Sequence, residues 1–501
     1  MSFSLGNHLK RLAGIRRSPW TWMLLLGIAL FLAFPGATAW KGDQAAIIQT
    51  ALEANAAGRP ATDFVRLGVS NRLASPATIW FYQLLLLATR NPILLTFLKN
   101  LSLLVALLGT GSFLCRRLEI PALPPLCAIL LLPKAWLMLR PLDDAGLALP
   151  FALLAFGATV GFCTEATDHP IRELVIALVA SLACAVLSLL PAIPMATLAL
   201  ALLLAPPNGL ANHRRLLHGA GIVILLLATA HYLWLMKATR DTATIPVGRS
   251  LLALSADLPQ FASSWKLSLT PSPDFLRELQ ELEGPPAVLN LPWLLSEYLT
   301  YALALMGLAA GIIAAVARKQ ERHLIPLVFG ALLSLSAIAV FLVSTALLRR
   351  GAHPRDMAVI FPAMIPLWAL GFHSLKVYLR FPYDLVRAFW FAFILLATVF
   401  YLGWLCICAG DDTPEHFGST LSEQWAVARS LSRFEQSGPK PLVFNRARCL
   451  QHTPQLLTTL CTLASHTTQA PLPPDGLPRK IVITQYQEGT GLLCCCHYYD
   501  E

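Results

Sequence analysis

Charge is what this sequence has least of. Only 13% of its 501 residues are charged, while 56% are hydrophobic and the mean hydropathy is +0.60. A soluble domain carries roughly 25% charged residues. A chain with half that charge cannot cover its own surface in water, so a soluble fold is excluded. Metal-ligand spacing is also missing: none of the 11 cysteines forms a CxxC pair. Cys127, Cys163, Cys184 and Cys406 lie in apolar runs and read as helix packing. Cys494–Cys496 at the C-terminus is not a zinc pattern and signals lipid attachment only weakly. No internal repeat is visible, which counts against the common transporter architectures. The net charge of +10 is scattered in short clusters between apolar runs rather than gathered on one face. It therefore reads as orientation signal, and no nucleic-acid partner is expected.

What the chain does have is long apolar runs, such as Leu147–Cys163, Gly219–Leu235 and Leu324–Leu347. Each approaches or exceeds the roughly 20 residues that a helix needs to cross the hydrocarbon core. In lipid the backbone must satisfy its own hydrogen bonds, so these runs are helices. The expected fold class is an all-α polytopic membrane protein with about eleven spans. The expected helices are 20–40, 96–114, 121–139, 147–163, 171–189, 192–206, 216–236, 292–316, 324–347, 357–375 and 389–408. Lys10, Arg11, Arg16 and Arg17 precede the first, placing the N-terminus in the cytoplasm. Ala37-Thr38-Ala39 resembles a signal-peptidase site, but the apolar stretch is long for a signal peptide and reads as a retained helix.

Residues 77–88 are too short to cross and read as re-entrant or interfacial. Parity agrees. With that segment left out, the basic loops at Arg116-Arg117, His213–Arg215, Arg318–Arg322 and Lys376–Arg387 fall inside, and the C-terminus falls outside. The membrane domain is then 1–408, with outer loops at 41–95, 140–146 and 237–291. Residues 409–501 form a small extracytoplasmic α/β domain, helix-like at Thr420–Phe434 and strand-like at Lys480–Tyr486. Asp43–Ala57 is amphipathic, with Ile47, Ile48, Ala51 and Leu52 on one face.

Three clusters sit at outer helix ends. Lys41-Gly42-Asp43 follows the first helix; taken alone, Asp43 reads as a helix cap. Arg140 with Asp143 and Asp144 precedes the fourth; taken alone, this is a solvated turn with an acidic helix start. Arg349, Arg350, His353, Arg355 and Asp356 form a basic loop on the wrong side for the orientation rule. Either the topology is wrong there or the cluster binds an anionic headgroup. Together, the carboxylates can take a proton from a hydroxyl or hold a divalent cation, and the arginines can grip a phosphate bidentately.

At these residues the chain resembles the GT-C membrane glycosyltransferases, in particular family 39, with its protein mannosyltransferases and aminoarabinose lipid A transferases. Gly42-Asp43 stands where the family has an acidic residue in its first outer loop. Ser75-Pro76-Ala77-Thr78-Ile79-Trp80-Phe81-Tyr82 is a loose match to its proline-aromatic segment, and Arg116-Arg117-Leu118 matches its basic helix end. Arg140 to Asp144 matches the second acidic outer loop. The likeness covers residues 1–165. It departs from the pattern where Gln44 replaces a second acid and where Pro76 stands alone. The resemblance implies an inverting transfer of a sugar from a polyprenyl phosphate to a glycan, lipid or protein acceptor on the outer face of a bacterial inner membrane. It implies Asp43 as catalytic base, Asp144 as a supporting acid, Asp143 and Arg140 as substrate ligands, and Arg349, Arg350, His353 and Arg355 as carrier-phosphate ligands. Membrane lipids are the other expected partner, and no cofactor beyond a divalent cation is expected.

The alternative is a transporter or flippase of lipid-linked sugars. That activity needs ionisable groups near the midplane, and His231, Lys134 and Glu173 all fall near helix ends.

Overall fold

The structure is a computed structural model that describes residues 19–37, 40, 42–67, 72–132, 139, 142, 144–164, 169–188, 192–240, 291–317, 324–347, 361–377 and 382–409. It also describes six short segments beyond residue 415. Helix α1 (Pro19–Leu32) leads through a 3-10 turn, Pro35–Ala37, to α2 (Gly42–Ala56). A short antiparallel pair follows, β1 (Val65–Leu67) with β2 (Arg72–Ala74), and then α3 (Pro76–Ala88) and α4 (Pro92–Arg117). The bundle continues as α5 (Leu123–Leu131), α6 (Asp144–Cys163), α7 (Pro170–Ser188), α8 (Ile193–Leu204) and α9 (Arg214–Arg240). It closes with α10 (Leu291–Ala317), α11 (Ile325–Leu347), α12 (Phe361–Val377) and α13 (Tyr383–Ala409). The C-terminal part holds β3 (His416–Phe417), α14 (Leu421–Gln436), β4 (Val443–Phe444), α15 (Thr453–Ser465), β5 (Lys480–Gln485) and β6 (Cys494–Tyr499). Its four strands form one sheet in the order β3-β6-β5-β4, antiparallel except for β4 with β5.

Local chemistry explains the helix starts. Ser75 caps α3 by accepting from the Thr78 N–H at 3.2 Å, with Pro76 next in the chain. Asn91 caps α4 by accepting from the Ile93 and Leu94 N–H groups at 2.9 and 3.4 Å, with Pro92 next. Proline suits the first helical position because its missing N–H would have no partner there.

Among the described residues, five helices are long and apolar enough to cross a membrane: Pro92–Arg117, Gly146–Cys163, Pro170–Ser188, Arg214–Leu235 and Tyr298–Val316. Their outer faces suit lipid. On α9, Ile222, Val223, Leu226, Leu227, Leu233 and Trp234 are all exposed, an apolar stripe at helical spacing. Such a stripe is a liability in water and ordinary against acyl chains. The tightest described crossing is α10 on α12. A Cβ added at Gly307 would stand 1.8 Å from the Leu367 carbonyl oxygen, and one at Gly371 would stand 2.2 Å from that of Leu303. Only glycine lets two backbones approach so closely, a recurring device where apolar burial cannot drive helices together.

The bundle has two distinct ends. At one, Arg117 closes α4 and pairs with Glu173 in the first turn of α7, the pair lying over Gly161 of α6. At the other, α2, α3, α14 and α15 form a cap over the helix ends.

Candidate functional site at the cap end

The cap has its own apolar core. Trp40, Ile47, Ile48 and Ala51 are buried there with Tyr82, Leu421, Trp425, Leu456 and Leu460. The amphipathic reading of 43–57 holds: Ile47, Ile48 and Ala51 face the core, and Leu52 is half-buried beside them. Gln424 of α14 clamps the entry to α2. Its Oε1 accepts from the Trp40 N–H at 3.1 Å and its Nε2 donates to the Trp40 carbonyl at 3.2 Å. Gln49 adds a link from α2 to Thr459 of α15 at 3.3 Å. Gln83 of α3 organises the rest of the first loop. Its amide donates to Asn55 Oδ1 at 3.1 Å and to the Arg59 carbonyl at 3.2 Å, and accepts from the Ala61 N–H at 3.1 Å. The start of α3 is fixed to the end of α7, where Ser75 and Thr78 hydroxyls donate to the Leu187 carbonyl, each at 3.4 Å.

Asp43 lies in the first turn of α2, one residue inside the helix, and is only 4% exposed. A carboxylate there faces the positive end of the helix dipole. Asp144 opens α6. Its neighbours Leu142 and Leu147 are buried in the same core that holds Trp40, Ala45 and Ala46 around Asp43. The first and second acidic segments therefore meet in one cluster. The Asp144 side chain lies outside the described residues, as do Arg140, Asp143, Arg349, Arg350, His353 and Arg355. Among the described residues no group of three or more His, Cys, Asp or Glu side chains stands together.

The sequence reading passed over Lys99. It sits two turns into α4, fully buried, and its ammonium donates to Asn100 Oδ1 at 3.2 Å and to the Leu139 carbonyl. Asn100 in turn donates to the Phe31 carbonyl at 3.4 Å. This pair joins α1, α4 and the segment that runs into Arg140–Asp144. The signal was available: Lys99 is a cation in an otherwise apolar run, a pattern that usually marks function or a specific partner.

No family model and no curated protein matches the chain. Among solved structures it is similar to the oligosaccharyltransferase of Archaeoglobus fulgidus in its apo form, at 12% identity and a TM-score of 0.44. The match covers 90% of this chain and 65% of that one, so the chain spans less than two thirds of its length. A likeness so distant carries no argument about activity.

Proposed function

We propose that the chain is an integral membrane glycosyltransferase of GT-C type, acting at the face of the membrane where the cap lies. On this reading the acceptor hydroxyl attacks the anomeric carbon of a sugar on a polyprenyl phosphate. The bond from that carbon to the carrier oxygen breaks, the carrier phosphate leaves with the electron pair, and the hydroxyl proton passes to the Asp43 carboxylate. Asp144 supports the site from the start of α6, with Arg140 and Asp143 beside it. Arg349, Arg350, His353 and Arg355 take the carrier phosphate. The membrane is the bacterial inner membrane, with the cap outside.

The observation that carries the reading is the shared core at the cap end. It gathers Trp40, Ala45 and Ala46 around Asp43 with Leu142 and Leu147 around Asp144. Two acidic segments about a hundred residues apart in sequence border that one core, and a transfer site needs its acidic groups together. Lys99 is the observation that favours a transporter instead. Its ammonium, however, is spent on Asn100 and the Leu139 carbonyl near the cap end.

The test compares envelope glycans of cells lacking the chain with cells carrying the parent or Asp43→Asn at equal protein level. Asparagine keeps the shape of aspartate and loses only its charge in the first turn of α2, worth about 0.3–1 kcal/mol. A loss of transfer of about a hundredfold at equal protein level therefore exceeds what helix stability explains. Loss of a glycan on deletion, restored by the parent and reduced about a hundredfold or more with Asp43→Asn, is the expected result. Full restoration by Asp43→Asn removes Asp43 as the base. Unchanged glycans on deletion remove the transferase reading itself.

A further inference from the structure

At the end of the bundle away from the cap, a cavity of about 330 Å³ opens between α1, the α4–α5 link, α11, α12 and α13. Its wall is aromatic: Trp20, Trp368, Phe372 and Trp390 line it. These rings brace one another. Trp20 packs on Trp390 with centroids 6.4 Å apart, Phe372 on Trp390 at 5.5 Å, and the Trp390 indole is held by Thr300 Oγ1 at 2.9 Å. Two basic side chains, His373 and Arg387, share the same wall, and the acid among the lining residues is Glu119, which is exposed. Trp368 adds a second signal. It is 4% exposed, and its indole N–H has no hydrogen-bond partner among the described residues. A buried donor left unpaired is costly, and an occupant bringing an acceptor oxygen would remove that cost.

We propose that this cavity is a binding site for an anionic glycerophospholipid of the surrounding bilayer. Arg387 and His373 take the phosphate, and the first part of one acyl chain lies along Trp20, Trp368 and Phe372. Three features fit a lipid better than a soluble ligand. The cavity lies at helix ends, at the level where tryptophan rings and lipid headgroups both sit. Its lining is apolar with a cationic side, which matches a chain joined to a phosphate. Arg387 presents a planar guanidinium fork that suits phosphate oxygens. Basic pockets between helices at one membrane face are a known way to hold anionic headgroups. The site is distant from Asp43, and its occupancy is read without any transfer reaction.

The experiment is thermal unfolding of the purified full chain in detergent, titrated with phosphatidylglycerol, phosphatidylcholine or inorganic phosphate. Phosphatidylglycerol should raise the midpoint at about tenfold lower concentration than phosphatidylcholine, the scale of one charge-assisted hydrogen bond. Inorganic phosphate should have no comparable effect. Arg387→Gln should abolish the preference while Arg387→Lys keeps part of it. Ala369→Phe, which fills the cavity from α12, should abolish the shift and does not depend on Arg387 variants folding. Equal shifts from the two lipids overturn the proposal. So does an equal shift from inorganic phosphate, or a full phosphatidylglycerol shift in either Arg387→Gln or Ala369→Phe.

Discussion

An ammonium buried in an apolar helix is costly unless its protons find acceptors. Lys99 meets that demand with Asn100 Oδ1 and the Leu139 carbonyl, and so anchors the chain that runs into Asp144. Lys99→Met keeps the length and apolar stem but removes the anchor. A hydrogen bond to a charged group contributes about 1.5–3 kcal/mol. Loosening the second acidic segment should therefore reduce glycan restoration about tenfold or more at equal protein level. Full restoration by Lys99→Met would mean that the anchor is dispensable. The residue was visible as a lone cation in the run 92–115. Its role was not, because the acceptor lies 40 positions away and is a backbone carbonyl, to which composition is blind. Asp43 was legible for the opposite reason: it stands directly after an apolar run, at the start of an amphipathic pattern.

Short helices are where length and burial must be weighed together. Helix α3 has 13 residues. At 1.5 Å per residue it spans about 20 Å, less than the roughly 30 Å of hydrocarbon. Its two faces are both apolar, yet they differ in burial. Ile79, Tyr82 and Leu86 pack into the cap, while Trp80, Leu84 and Leu87 are 47%, 67% and 75% exposed. That pattern suits a helix lying at the interface, with one face on protein and one on lipid. The prediction is that both its flanks lie on the same side of the membrane. Asp63 and Arg90 are exposed and suit labelling, whereas Ser75 is fully buried. Asp63→Cys and Arg90→Cys, in a background without other accessible cysteines, should react alike with an impermeant thiol reagent added to intact cells. Labelling from opposite sides would make α3 a crossing. The start of α3 was readable from Ser75-Pro76. The strand pair Val65–Leu67 with Arg72–Ala74 was not, because three-residue strands carry too little pattern.

For the whole molecule, the contact that matters most joins residues nearly four hundred apart. Gln424 holds both backbone groups of Trp40, and α15 packs on α2 through Thr459 and Gln49. The C-terminal helices therefore share an end of the bundle with the first loop. A chain folded this way returns to its starting side, which requires an even number of crossings between residues 41 and 409. That parity puts the C-terminal helices on the same side as the first loop. A C-terminal alkaline phosphatase fusion should be active and a green fluorescent fusion dark. The reverse pattern would move the cap, Asp43 included, to the cytoplasm.

By itself the sequence determined the solvent. Low charge and long apolar runs exclude water as the surroundings, because each residue's transfer cost adds along the chain whatever it touches. Caps, prolines and amphipathic spacing likewise act within a few residues, so α2, α3, α14 and the strand at Lys480–Gln485 were legible in outline. Only the tertiary structure decided which distant segments meet: Trp40 with Gln424, Lys99 with Leu139, and Leu142 and Leu147 in the core that also holds Ala45. It also decided the aromatic cavity, whose walls come from five parts of the chain. These contacts depend on how helices cross, and crossing is set by close approach at points such as Gly307 on Leu367. Where lipid leaves no apolar driving force between helices, shape selects the partner, and shape exists only once the helices are assembled.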